Sequence, residues 1–157
     1  MQGNPVFMEK AIALATENVT SGRGGPFGAV IVRGGEIVAS GTNLVTATND
    51  PTAHGEIVAI RNACAALKTF QLHGCEIYSS CEPCPMCLAA IYWARCDVIF
   101  YGGRAADAAA AGFDDAFLYE EMSRPIDRRS IPAVNLLREK AISSFDAWRV
   151  QAGRIDY

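Results

Sequence analysis

The sequence predicts an α/β fold of three layers, α/β/α, in which helices cover both faces of a mixed sheet of about five strands. Short apolar runs bounded by glycine-rich turns alternate with helical periodicities along all 157 residues. Two of those runs, Phe27 to Arg33 and Glu36 to Thr42, are folded back on each other by Gly34-Gly35, which makes an antiparallel hairpin. Further along, strand, helix and strand succeed one another between Cys75 and Tyr101, and that order requires a right-handed parallel crossover. A sheet with both kinds of pairing and helices between its strands buries each face under its own helix layer.

Asn4-Pro5 supplies an N-cap and a first-turn proline, after which Phe7, Ala11, Leu14, Ala15 and Val19 recur on one face of a helix reaching about Thr20. Ser21 to Pro26 breaks it. The glycines there have the look of a phosphate loop, but no Lys-Ser/Thr follows and a strand comes next, so they are turn residues. Leu44 to Asn49 is expected to be a loop. A helix then starts at Asp50-Pro51 or Thr52 and carries Ile57, Ile60, Cys64 and Leu67 at helical spacing, with His54 and Glu56 near its beginning. Gly55 costs that helix about 0.8–1.0 kcal/mol against alanine.

Cys75 to Ser80 reads as the third strand, the following helix runs to about Arg95, and Asp97 to Tyr101 is the fourth strand, stopped by Gly102-Gly103. Asp107 to Met122 is alanine-rich helix interrupted at Gly112. Ile131 to Leu137 is expected to be the last strand and Ser144 to about Gln151 the last helix. Repeats and low-complexity linkers are absent.

The length suits one domain spanning residues 1–157, large enough to bury about 68–70% of its unfolded surface without covalent staples. The N-terminus lacks a basic segment followed by an uninterrupted apolar run, and no stretch approaches about 18 apolar residues, so neither export nor membrane insertion is indicated and a cytoplasmic enzyme is expected. Fourteen basic and seventeen acidic residues give a net charge of −3, which argues against a nucleic-acid partner and suits a small neutral substrate. Arg124, Arg128 and Arg129 cluster, but Pro125 and Asp127 interrupt them, as in a solvated loop. Of six cysteines, Cys64, Cys75 and Cys96 read as core thiols, and no disulfide is expected.

The remaining cysteines carry chemistry. In Ser80-Cys81-Glu82-Pro83-Cys84-Pro85-Met86-Cys87, Pro85 fits the first helical position, which makes Cys84 the N-cap and Cys87 the third helical residue. Those two thiols face each other, and the partial positive charge of the helix start favours their thiolates. His54 adds a third ligand. Structural zinc sites close with four protein groups, so three leave a place for water. Glu56, two residues past His54, is a carboxylate free to act as general base and acid. Cys81 shares the spacing with Cys84 but precedes the N-cap and belongs to the strand end. His73, in a polar turn beside Gly74, has no cysteine partner and reads as a surface histidine. The bland alternative is a noncatalytic zinc module or a pair of buried thiols.

Thr52-Ala53-His54-Gly55-Glu56 and Glu82-Pro83-Cys84-Pro85-Met86-Cys87 together resemble the signature of zinc nucleobase deaminases, and the order of elements is similar to the cytidine deaminase-like superfamily along essentially the whole chain. Within it, the bacterial guanine deaminases are resembled through Gly24 to Val30, Asn49 to Thr52, Ala90 to Arg95, Ala111 to Asp115, Ala147-Trp148-Arg149 and Tyr157. The superfamily commonly reads His-Ala-Glu where Gly55 stands here.

The resemblance implies one zinc ion per subunit held by His54, Cys84 and Cys87, with Glu56 moving protons. It further implies a base pocket shaped by Phe27, Asn43, Trp93, Asp115 and Tyr157, residue types that suit a planar polar base. A homodimer is implied, with residues 143–157 closing the site and in some members exchanged between subunits. The activity so implied is hydrolysis of guanine to xanthine and ammonia, a step of purine catabolism. Deamination of guanosine or another purine, or of adenosine in tRNA, shares both zinc motifs and stays open.

Overall fold

The structure, a computed structural model, describes residues 2–156. They fold in the order α1 (Pro5–Thr20), β1 (Gly28–Arg33), β2 (Glu36–Thr42), α2 (Val45–Thr48), α3 (Gly55–Leu67), β3 (Cys75–Cys81), α4 (Pro85–Ala94), β4 (Val98–Gly103), α5 (Ala105–Ala110), α6 (Ala116–Ser123) and α7 (Arg138–Val150). A single turn of 3₁₀ helix, Ile126–Arg128, precedes α7. Two compact units result, one ending at Ala116 and the other starting at Phe117.

In the first unit the sheet has the order β2-β1-β3-β4, with β1 antiparallel to both neighbours and β3 parallel to β4. All of β1 except Arg33 is buried, which needs cover on both faces. Alternation sorts its side chains: Ala29 and Ile31 pack with Ala59 and Ala63 of α3 and Ile91 and Ala94 of α4, whereas Val30 and Val32 pack with Ala11 and Leu14 of α1. The α/β/α layering expected from the sequence is therefore present.

Tyr78 of β3 anchors the α1 layer. Its ring stacks on Phe100 at 4.7 Å between centroids and meets Phe7 edge-on at 5.4 Å. Its hydroxyl donates to Glu76 (2.8 Å) and accepts from the backbone N–H of Asn4 (3.1 Å). Asn4 in turn caps α1 through Oδ1, which accepts from Val6 N at 3.0 Å. On the other face β2 and α3 approach closely at Gly41, where a Cβ would press on the backbone N of Ala59 and the carbonyl of Gly55.

Several boundaries differ from expectation. The sheet has four strands among the described residues, because Ile131 to Leu137 forms none. Pro132 deprives that run of a ladder N–H, and Ile131, Val134 and Leu136 are 81%, 84% and 78% exposed. Helix α3 starts at Gly55, not at 50–52, since Asp50 Oδ1 accepts from both N and Oγ1 of Thr52 and holds a local turn. The expected loop after Leu44 contains the one-turn α2, which Asn49 ends in the left-handed conformation (φ 52°). The alanine-rich stretch is two helices parted at Gly112 (φ 92°), and α7 begins six residues earlier than the expected Ser144, at Arg138.

In the second unit none of the described residues is buried. Across the described residues no helix is long and apolar enough to cross a membrane. Replacing Gly41 by alanine is expected to lower the unfolding free energy by about 1–3 kcal/mol, the usual cost of overpacking, with a guanidinium midpoint below wild type as the readout.

Candidate active site

The β3–α4–β4 crossover sets the start of α4 beyond the carboxyl end of β3, the usual place for chemistry in such sheets. Cys84 is the N-cap of α4 with extended backbone (φ −61°, ψ 166°), Pro85 is the first helical residue, and Cys87 sits fully buried in the first turn. His54 occupies the same position on α3 (φ −70°, ψ 158°). Two helix starts thus converge, and their N-cap side chains make no capping bond to their own helices.

His54 Nδ1 lies 3.5 Å from the sulfur of Cys84 and 3.5 Å from that of Cys87. All three donor atoms fall within 4.8 Å of one another. Zinc bonds of about 2.3 Å to sulfur and 2.0–2.1 Å to nitrogen at a tetrahedral angle set S and N about 3.6 Å apart. The geometry and the soft donor set fit that ion. The Cys84 thiol is lowered to about 4, chiefly by a hydrogen bond from Cys87, while that same bond together with burial pushes Cys87 up. His54 is raised by its bond with Cys84.

Glu56, in the first turn of α3, is 5% exposed, and burial raises its carboxyl above the usual range. Ser79 Oγ donates to its Oε1 at 2.8 Å. Sequence reasoning missed Ser79 as more than a strand residue. Its signal was a hydroxyl at an interior position of β3, in phase with Ile77 and so facing α3.

Beside these groups lies a cavity of about 250 Å³, and Phe27, Asn43, His54, Glu56, Cys84 and Asp115 all line it. Phe27 packs edge-to-face on Phe113 at 4.9 Å, a partner absent from the sequence-derived pocket residues. Asn43 N–H donates to Phe27 O (3.0 Å) and Asn43 Oδ1 accepts from Val45 N (3.3 Å). Asp115 is raised by desolvation and by the charge of Cys84. Glu82 Oε2 accepts from Ala105 N at 3.0 Å and ties the cysteine loop to the start of α5. Cys81 also lines the cavity, but its thiol donates to Arg104 O (3.7 Å) and stands outside the donor cluster.

Trp93 does not line this cavity. Helix α4 turns Cys87, Ile91 and Ala94 inward, which leaves Trp93 on the outer face, 65% exposed, beside Ala89, Tyr92 and Arg95. Tyr157 lies outside the described residues. At Gly55 a Cβ would come within 3.3 Å of Phe27 O and 3.4 Å of Gly28, so the glycine eases the approach of α3 to the strand that follows Phe27.

Residues 1–103 match the family described as the cytidine and deoxycytidylate deaminase zinc-binding region. The chain belongs to this deaminase family. Guanine deaminase of Bacillus subtilis (strain 168) is 52% identical over 151 residues, 96% of this chain and 97% of that one. The X-ray structure of guanine deaminase from Bacillus subtilis has a TM-score of 0.96 at 51% identity and covers 99% of both chains. Guanine deaminase from Nitrosomonas europaea gives a TM-score of 0.69 at 30% identity over 94% of this chain and 85% of that one. A tRNA-specific adenosine deaminase of Aquifex aeolicus (strain VF5) is 39% identical over 99 residues, 63% of this chain and 65% of its own. The cofactor is zinc, in keeping with the zinc-binding region that residues 1–103 match, and His54, Cys84 and Cys87 are positioned for it.

Purified Cys84→Ser and Cys87→Ser proteins are expected to lose most of their zinc while Cys81→Ser keeps a full complement. Metal analysis of the three decides it, since zinc retained in Cys87→Ser or lost from Cys81→Ser contradicts the donor set.

Proposed function

We propose that this chain hydrolyses guanine to xanthine and ammonia. The observation that carries the proposal is the meeting, in one small cavity, of the zinc donors, the buried Glu56 and the polar pair Asn43 and Asp115. Guanine deaminase of Bacillus subtilis, similar at high identity along nearly the whole chain in sequence and in structure, supports it.

Zinc held by His54, Cys84 and Cys87 supplies a Lewis acid that makes water nucleophilic near neutral pH. Every other part of the reaction falls to the protein. Glu56 takes a proton from the attacking water and hands it to the departing amine, so that a C–O bond forms and the C–N bond at C2 breaks with release of ammonia. Ser79 fixes one carboxylate oxygen and leaves the other for the transfer. Asp115 accepts from the ring N–H, the Asn43 amide donates to a ring acceptor, and Phe27, steadied by Phe113, covers the face of the base. A cavity of about 250 Å³ is below the ~300–1,000 Å³ of sites for drug-sized ligands. That size favours a free base over a nucleoside.

The direct test is ammonia release from a panel of guanine, guanosine, adenine, cytosine and tRNA. Guanine is expected to dominate, because a mismatched base leaves Asp115 unpaired; comparable turnover of guanosine rejects the reading. In the same assay Glu56→Gln is expected to retain zinc and lose about 10²–10⁴-fold or more in kcat.

The chain is further proposed to act in the cytoplasm as a homodimer in which residues 143–157 close the site, with Tyr157 against the base. Six free cysteines suit a reducing compartment. The exposed apolar residues of the second unit, Phe117, Ile131, Val134, Leu136, Phe145 and Val150 among them, support burial against another copy. Deleting residues 153–157 is expected to leave zinc and helix content intact and to cut guanine turnover sharply. Kinetics together with solution mass decide it: unchanged turnover removes the closing role, and a monomeric wild type removes the dimer.

A further inference from the structure

Asn18 lies in the last turn of α1, is fully buried, and does not line the cavity. Its Nδ2 donates two hydrogen bonds, to Gly25 O at 2.9 Å and to Asn43 O at 2.8 Å. Those carbonyls belong to the two segments that bring Phe27 and Asn43 into the cavity. The segments are also joined to each other, since Phe27 N donates to Gly25 O (2.9 Å) and Asn43 N donates to Phe27 O (3.0 Å). One amide group therefore closes a ring of bonds behind the pocket wall.

The surroundings leave that amide little latitude. Its own backbone carbonyl accepts from Arg23 N (3.1 Å), Gly24 N (3.4 Å) and Ser21 Oγ (3.2 Å), and a Cβ on Gly24 would press on Asn43 O and come within 3.0 Å of Asn18 Nδ2. Asn18 Oδ1 finds no hydrogen-bond partner among the described residues, although it is buried. An orphaned acceptor in the interior costs stability. Turning the amide to relieve it would aim oxygen at two carbonyl oxygens and lose both donated bonds, so the donors fix the orientation.

We propose that Asn18 is a positioning residue for the base pocket: by holding the carbonyls of Gly25 and Asn43 together it sets the separation of Phe27 from Asn43, and with it the affinity for the purine. It touches neither the base nor the zinc donors. The role rests on the reading that Phe27 and Asn43 contact the substrate.

Asn18→Asp keeps the shape and removes both donors, and Asn18→Ser removes them while relieving the repulsion a carboxylate would meet. Zinc-loaded full-length proteins are compared for zinc content, melting temperature, and guanine KM and kcat, alongside Asn43→Ala. The expected result is full zinc, a KM raised by about tenfold or more and a kcat within about threefold of wild type. An unchanged KM with only a lowered melting temperature overturns the proposal and leaves Asn18 a purely structural residue. Failure of both Asn18 variants to fold overturns it equally, because Asn18 would then serve the fold as a whole. Asn43→Ala separates the two levels: if it leaves KM unchanged the pocket reading itself is wrong, whereas a raised KM there beside unchanged Asn18 variants rejects the Asn18 role alone.

Discussion

Two helices begin at one point, and the molecule is arranged around that meeting. An N-cap side chain normally turns back to its own helix, a bond typically worth about 1 kcal/mol. Here the caps of α3 and α4 are His54 and Cys84, which face each other instead. Both helix starts present partial positive charge to the same small volume, an environment that favours the Cys84 thiolate over its thiol. For the two starts to coincide, α3 and α4 must lie on one face of the sheet, and the central strand must be apolar on both sides so that α1 can cover the other. The close approach of Gly41 to α3 and the parallel pairing of β3 with β4 are what bring the helix starts together.

The reacting groups and the groups that hold them divide along this geometry. Reacting groups sit on helix starts, which are rigid and set by hydrogen bonding along the helix. The groups proposed to face the base, Phe27 and Asn43, line the cavity from just outside the ends of β1 and β2. Backbone bonds join those segments directly, Phe27 N to Gly25 O and Asn43 N to Phe27 O. A constellation of this kind can change ligand preference through its loops while the proton-transfer machinery stays in place.

Much of the site was legible because its chemistry follows local rules. Pro85 after Cys84 announced a helix start, the i, i+3 spacing of Cys84 and Cys87 put both sulfurs on one turn, and the interval from His54 to Glu56 is itself local. The hairpin at Gly34-Gly35 and the cap at Asn4 were legible for the same reason. What escaped depends on partners distant in sequence. Ser79 and Asn18 are polar residues inside the core; Ser79 bonds to a residue 23 positions away and Asn18 joins Gly25 to Asn43, 25 positions on from Asn18 itself, links beyond the reach of any periodicity. Trp93 looked like a pocket residue by type, yet it lies two positions past the inward-facing Ile91, about 200° around the helix. Asp50-Pro51 imitates a helix start, and only the bonds from Thr52 reveal a turn that delays α3 until His54.

Pro132 has a consequence beyond the strand count. Ile131 to Leu137 is apolar, exposed and β-competent at most positions, the composition that lets a segment pair with an open sheet edge on another molecule and begin an aggregate. The missing N–H and fixed φ of Pro132 interrupt that run near its beginning. The residue that keeps this run out of the sheet therefore also suits a gatekeeper, guarding the segment in the single chain, before another copy covers it, against templating precipitation.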